Sequence, residues 1–390
     1  MRIFYAVMQT PNGVDLKDSR LWQQNLYATL TEMGHDVVEF EFDMLPLLSH
    51  SNLSDPCDRA FVDVHRPALE YELLVQIRAA HHSKPIDLFF SYFYDCCACP
   101  AAIREIRQLG IPTVNFFCNA VHQFELVKQL APAYDYCWVP EKVALSKYKA
   151  VGANPIHIQM AANPSIYHPY QVTREYDITF VGQKYADRPE IIDYLLHKGL
   201  DVRVWGPGWK KQEVVGAEGC SGEAAALPRS EKTRLLMAVR SPDRVIRWLV
   251  RLSRERRLQK IAGPALSDDE LVRMYSRSKV SLGFSVVSQR VGKGQANSHL
   301  RLRDFEAPMS GALYATGWCE ELADYFEPDR EVIVYRSKEE LAEKAAYYLA
   351  HPKEAEHVRQ AGYRRAIKEH TWEKRFRQLF HGIGVSADDH

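Results

Sequence analysis

The chain has 390 residues, of which 46% are hydrophobic, and its 50 Lys and Arg residues balance 50 Asp and Glu residues. That length fits two domains at roughly 100–200 residues each, and cancelled charge removes any global electrostatic case for nucleic acid, so a charged partner must be met by a local patch. The first residues hold one basic side chain and an apolar run too short for a secretory leader, and no stretch approaches ~18 apolar residues, so a cytoplasmic location is expected.

In chain order, strand-like runs fall at residues 2–8, 37–42, 86–91, 112–117, 134–139 and 155–160, with helical patterns between them. A helix over 19–33 has an N-cap candidate in Asp18 or Ser19 and stops at Gly34. Helices over 67–82 and 100–109 each open on a proline, which a first turn tolerates. Cys96, Cys97 and Cys99 crowd together, with Cys57, Cys118 and Cys137 elsewhere in this half. Adjacent cysteines do not easily point at one metal, so small buried thiols are expected, with no metal site and no disulfides.

Two prolines and an asparagine in 161–169 mark a linker. The second half repeats the scheme with runs at 177–181, 201–205, 258–262, 279–284, 311–316 and 331–335. Strands alternating with helices give parallel sheets covered on both faces. The expected fold is therefore α/β, with two facing doubly wound Rossmann-like domains. Residues 1–168 are expected to form the first domain, residues 169–371 the second, with a basic helical insertion over 211–265, and residues 372–390 a last helix and a polar tail. Ligands of such sheets bind beyond the carboxyl ends of the strands, so the chemistry is expected in the cleft between the domains.

Segment 229–260 carries eleven Lys or Arg residues against three acidic ones. Arg240, Arg244, Arg247, Arg251 and Arg254 recur at helical spacing beside an apolar stripe of Val245, Trp248, Leu249 and Leu252. Such a helix either packs its stripe on the second domain or lies peripherally on an anionic membrane surface.

The most telling segment is 300–316, which places Glu306 at the head of a short helix running into Gly311 and a buried-type strand. A carboxylate accepts two hydrogen bonds from a vicinal diol such as a ribose, and free N–H groups at helix starts and Gly turns suit a neighbouring phosphate. Arg303, one turn earlier, suits phosphate oxygens; Arg301 and Arg303 alternate on an extended chain, so one of them, Arg303, is expected to reach. Arg303-Asp-Phe-Glu306-Ala-Pro-Met-Ser-Gly311 resembles the C-terminal donor site of CgeB-like (spore-maturation-type) glycosyltransferases of GT-B fold. Tyr176-Asp-Ile-Thr-Phe-Val-Gly182, Asp187-Arg-Pro-Glu190, Val204-Trp-Gly-Pro-Gly-Trp209 and His370-Thr-Trp-Glu-Lys-Arg375 are similar to other parts of that family's second domain.

The resemblance implies a hexosyltransferase-type enzyme that needs no cofactor or tightly bound metal, with a nucleotide-diphosphate sugar as donor bound by the second domain and an unidentified hydroxyl acceptor on the side of the first, and with the closing helix of 372–390 packing back on the first domain. Glu306 would hold the ribose. Gly182, Lys184, Arg188 and Gly206 would approach the donor, although each also reads as an ordinary turn or solvated charge. Lys293, in the Gly-rich loop before the site, is a further candidate for phosphate. Asp187 and Glu190 read as a capping box. Where retaining members of the large related family four carry a second carboxylate, eight positions before the ribose glutamate, this chain has Ser298; His299 beside it is a substrate-binding candidate that takes over part of that role or else an ordinary polar loop residue, and retention or inversion stays open. In the first domain Asn119 stands where a cleft-facing Asp is often found, and an amide is no general base. His122 is then the catalytic-base candidate on that loop, and the loop ending at Gly13 lines the acceptor side together with residues 92–95. A non-catalytic nucleotide-sugar-binding scaffold, or a nucleotide-sugar epimerase of the same architecture, is the alternative.

Overall fold

The computed structural model of the chain describes residues 1–8, 20–210, 242–288 and 297–385. The first sheet is built from β1 (Arg2–Ala6), β2 (Asp36–Glu39), β3 (Leu88–Ser91), β4 (Thr113–Phe116), β5 (Tyr136–Val139) and β6 (Pro155–His157). All are parallel, in the order β2-β1-β3-β4-β5-β6. β3 and β4 are buried at every position, which is why they read as continuous apolar runs without alternation. The second sheet holds β7 (Tyr176–Val181), β8 (Val202–Trp205), β9 (Ser278–Leu282), β12 (Tyr314–Gly317) and β13 (Ile333–Tyr335), again parallel, in the order β13-β12-β9-β7-β8. Between β9 and β12 the chain makes an antiparallel pair, β10 (Val286–Ser288) with β11 (Asn297–Ser298).

Numbered within its own domain, each sheet runs 2-1-3-4-5, and the first adds a sixth strand. Each therefore reverses direction of growth between its first and third strands, at β1/β3 and at β7/β9. Those reversals are where open α/β sheets bind ligands.

Three local expectations give way to the structure. The helix expected over 67–82 starts at Pro56 and runs to Ser83, with Pro67 inside it. Asp55 supplies the start by accepting from the Cys57 and Asp58 N–H groups at 2.8 and 3.3 Å, and the buried Val62 continues the inward face of Leu69, Leu73 and Ile77 across the proline. No strand forms over 258–262: the helix Pro242–Ile261 runs through it, and Ala262 alone bridges Val204. Leu258, Ile261 and Ala262 fit helical i, i+3, i+4 spacing as well as a short apolar strand. Asp187 makes no capping bond because it sits in the helical region at φ −89°, ψ −6°. The capping box belongs to Ser267, extended at φ −69°, ψ 167°, with Glu270.

The closing helix Trp372–Gly382 lies on the first sheet. Trp372 packs edge-on to Phe116 and Trp138, its Nε1–H donates to Asn25 Oδ1 at 2.8 Å, and Phe376 meets Phe90 and Trp138. Ala162 of the linker pairs with Thr371 just before this helix. A single buried cluster thus includes Leu26, Phe116, Trp138 and Trp372 together with Phe305, Tyr314 and Val334 of the second domain. In the insertion, Arg254 and Arg257 pair with Glu190 and Asp193 of the helix Arg188–His197 at 3.0 and 2.8 Å. Earlier in the same helix Trp248 and Leu249 of the apolar stripe, and Val250 next to them, are 48, 53 and 57% exposed, so that part of the helix does not pack on the domain. No described helix is long and apolar enough to cross a membrane. Arg240 lies outside the described residues.

Candidate active site

A cavity of about 750 Å³ opens between the domains. It is lined from the first domain by residues just beyond β1, β3 and β4 (Met8, Tyr92, Tyr94, Asn119) and from the second by those beyond β7 and β9 (Gly182, Gly283, Phe284). Both sheet reversals therefore face one cleft, and His299, Arg301, Arg303 and Glu306 complete its second-domain wall.

Glu306 lies in the short helix Arg303–Met309 and is 4% exposed. The helix is fixed at both ends. Asp304 accepts from the Arg301 N–H and the Thr316 hydroxyl at 2.6 and 2.9 Å, and Ser310 Oγ donates to the Glu306 carbonyl at 2.8 Å. Gly311 then turns at φ +72°, where its missing Cβ would already touch the Pro169 ring at 3.0 Å. The Tyr167 hydroxyl, from the linker, hydrogen-bonds the Glu306 carboxyl, yet Oε1 is buried with no partner. Burial pushes the carboxyl up to about 7, with Arg303 and Tyr167 holding it down in part. A buried acceptor with an open oxygen is the arrangement a ligand diol completes.

Arg303 and Arg301 both line the cleft, whereas alternation on an extended strand would have sent one away; Leu302 is already helical at φ −51°, ψ −41°, so alternation does not apply. Arg303 lies beside Tyr275 as well as Glu306; burial lowers its pKa, but these neighbours outweigh that and raise it. Arg188 is buried and stacked 3.8 Å from the Tyr185 ring centroid, and donates to the Gln183 carbonyl and the Tyr185 hydroxyl, each at 2.7 Å. Arg301 lies 6.0 Å from the same ring. Burial, followed by the Arg301 and Arg303 charges, pulls Arg188 down to about 10. Three guanidinium groups gathered in one wall suit a polyanion, whose charge would relieve the mutual repulsion that helps pull Arg188 down.

The remaining expected residues divide. Gly182 and Asn119 line the cleft. Gly206, at φ +124°, does not; a Cβ there would meet the Gly182 carbonyl oxygen at 2.6 Å, so its role is to let the β7 and β8 turns approach. Lys184 is turned away from the cleft onto Glu255 and the Trp209 face, which takes it out of the donor wall. His122 is exposed and absent from the lining, with its ring centroid 5.8 Å from that of His299. His299 does line the cleft, 8% exposed, and burial with Arg301 and His122 nearby holds it down at about 3. Of residues 92–95, Tyr92 and Tyr94 line the cavity, while Asp95 turns inward to accept from the Gln129 and Leu130 N–H groups. Gly13 and Lys293 lie outside the described residues. Tyr167, Tyr185 and Glu141 carry no signal in the sequence: a tyrosine in a linker or turn, or a glutamate after a strand, has no local signature. Among the described residues no three His, Cys, Asp or Glu side chains gather as a metal-binding group.

Residues 188–381, which include Arg188, His299, Arg303 and Glu306, match the family model described as glycosyl transferase-like. With the two facing parallel-sheet domains, this makes the chain a glycosyltransferase of GT-B architecture. Its fold is similar to that of sucrose-phosphate synthase from Thermosynechococcus elongatus, at TM-score 0.60 and 13% identity over 99% of this chain and 100% of that one. It is also similar to Anabaena HepE in complex with UDP-glucose, at 0.56 and 10% over 99% of both, and to a glycosyltransferase from Rickettsia africae, at 0.57 and 11% over 100% of this chain and 99% of that one. No curated protein matches the chain in sequence.

Proposed function

We propose that the second domain binds a nucleoside-diphosphate sugar through Glu306 on the ribose and Arg188, Arg301 and Arg303 on the diphosphate, and that the first domain presents an acceptor hydroxyl across the cleft. The observation that carries this reading is the open, buried Oε1 of Glu306 beside Arg303 in the interdomain cavity. Three guanidinium groups neutralise the departing diphosphate, so the reaction needs no tightly bound metal. The CgeB-like subgroup remains the one the motifs around Glu306 favour. Over an epimerase or a binding scaffold, transfer is supported by the second ligand-binding face, lined by Met8, Tyr92 and Asn119, opposite the donor wall. The complex of the structurally similar Anabaena HepE with UDP makes UDP the first probe.

In calorimetry Glu306→Gln should weaken UDP by roughly 10- to 150-fold, because one charge-assisted hydrogen bond is worth ~1.5–3 kcal/mol. Parent-like affinity would remove the ribose assignment. A thermal-shift panel of nucleotide sugars, with and without divalent metal, then identifies the donor and tests metal independence. Turnover with formation of a new glycoside separates transfer from epimerisation and from mere binding. Peripheral contact with an anionic membrane through the helix Pro242–Ile261 belongs to the same proposal, favoured by its exposed Trp248, Leu249 and Val250.

A further inference from the structure

We propose that His299 and Glu141 form a proton-accepting dyad assembled from the two domains, in which the His299 ring takes the proton of the acceptor hydroxyl and Glu141 positions that ring. The dyad rests on the reading of the cleft as a glycosyltransferase active site. Glu141 follows β5 in the first domain, and His299 follows β11 in the second. Their side chains are 1 and 9% exposed, and His299 Nε2 faces Glu141 Oε1 at 3.4 Å. Glu141 is anchored through its other oxygen, which accepts the Val121 N–H at 2.7 Å. Oε1 has no hydrogen bond, and neither has His299 Nδ1.

Two buried polar atoms left open on a pair that reaches the substrate cleft are costly unless a ligand or a closing motion completes them. Catalytic hydrogen bonds are commonly long before substrate arrives and tighten afterwards. His122 has no such support: it is exposed, outside the lining, and without a carboxylate behind it among its described contacts. Because the ring and the carboxylate come from different domains, the base is complete only when the domains meet.

In the transfer, the acceptor oxygen forms a bond to the anomeric carbon as the bond from that carbon to the diphosphate oxygen breaks, and the nucleoside diphosphate leaves with the electron pair. The hydroxyl proton passes to His299 Nδ1, while Nε2–H donates to ionised Glu141, whose negative charge stabilises the imidazolium as it forms and offsets the burial and the Arg301 charge that otherwise hold the ring's basicity down. The groups around the pair are Arg301 and His122 beside His299, and Lys147, Glu321, the Cys118 thiol and the Tyr148 hydroxyl beside Glu141. Burial pushes Glu141 up to about 7 against the opposing pull of the Val121 N–H and Lys147. Below that pH, protonated Glu141 is itself the donor to Nε2, which keeps the ring proton on Nδ1 and leaves no lone pair for the hydroxyl. Above it, ionised Glu141 takes Nε2–H and frees Nδ1.

Two measurements on the full chain test the dyad. In ¹⁵N-histidine NMR, with His299→Gln used for assignment, His299 should remain neutral and change tautomer with a midpoint of about 7, and Glu141→Gln should abolish that change. For UDP release from UDP-glucose with water as acceptor, His299→Gln should lower kcat by ~10²-fold or more. Glu141→Gln should lower it roughly 10- to 150-fold with a flattened acid limb, and Glu141→Asp should restore part of the loss. Calorimetric affinity for UDP should not change in any of the three. A His299 that titrates like a free imidazole, near ~6.5, or a Glu141→Gln variant with the parent's kcat and pH profile, overturns the dyad. Failure of the parent to bind UDP would instead overturn the donor-site reading, with the NMR result still deciding whether the pair works as described.

Discussion

At the scale of single residues, the cleft is built from groups that the fold holds in unfavourable states. Glu306 is ordinarily ionised above 4.5, but burial moves it to about 7. Between those values the folded chain binds more protons than the unfolded chain, so stability is greatest below the lower one and falls as pH rises towards and through the higher. Above pH 7 the buried carboxylate costs the native state on the order of 3 kcal/mol at ~1.4 kcal/mol per pKa unit. Glu306→Gln keeps the shape and removes the titration. The variant should therefore match the parent's unfolding free energy near pH 5 and exceed it by about 2–3 kcal/mol at pH 8, while binding UDP more weakly. Chemical denaturation at the two pH values reads this directly; a variant no more stable than the parent at pH 8 would mean that Arg303 and Tyr167 fully compensate the charge. Gly206 states a constraint of another kind. Its φ of +124° and the Gly182 oxygen 2.6 Å from where a Cβ would stand leave no room for Gly206→Ala. That change should lower stability by about 1–3 kcal/mol, the usual scale for backbone held in a sparsely populated region.

At the scale of elements, what was legible in the sequence followed from how local its causes are. The parallel strands show as apolar runs because both faces are covered, and Glu306 stands out because a carboxylate, a small-residue turn and Gly311 lie within a few positions. The run over 258–262 has apolar positions that fit two periods, and only packing against the helix Arg188–His197 decides between them. Lys184 reads from its neighbours as a donor-site cation because its partner, Glu255, lies 71 residues away. Arg301 and Arg303 would exclude each other from the cleft only on an extended chain, and the local sequence does not show that a helix begins there. The same insertion that hides Lys184 leaves Trp248, Leu249 and Val250 in solvent. Vesicles containing phosphatidylserine should sediment the parent at low salt, and less of it as salt rises. Replacing those three residues by Ser should abolish this, and Arg251→Gln should weaken it about fivefold, since each basic residue near such a surface contributes ~1 kcal/mol. Sedimentation unchanged in both variants would assign the exposed turn to some other contact.

At the scale of the whole molecule, the question is how two sheets with separate reversals come to share one active site. The dyad, the Tyr167 contact to Glu306 and the Glu321 carboxylate that accepts from the Lys142 N–H at 3.0 Å all cross from one domain or the linker to the other. They function only if the domains are held at one separation, and the closing helix supplies much of that hold. Trp372 is wholly buried against first-domain aromatics, and its indole N–H reaches Asn25 Oδ1, a buried acceptor 347 positions earlier in the chain. Trp372→Phe keeps a ring in the aromatic cluster but leaves that oxygen without its donor, which costs about 1–3 kcal/mol in addition to the smaller ring's lost contacts. The denaturant midpoint should fall accordingly. Donor binding need not fall with it, because Glu306 and the three arginines all sit in or beside the second sheet. The expected signature is thus a split: calorimetric affinity for UDP within a few-fold of the parent, but a lowered kcat for UDP release, since the His299–Glu141 contact depends on the domain spacing that Trp372 maintains. Equal losses in UDP affinity and in turnover would show that the closing helix supports the second domain itself and does not set the distance between the two.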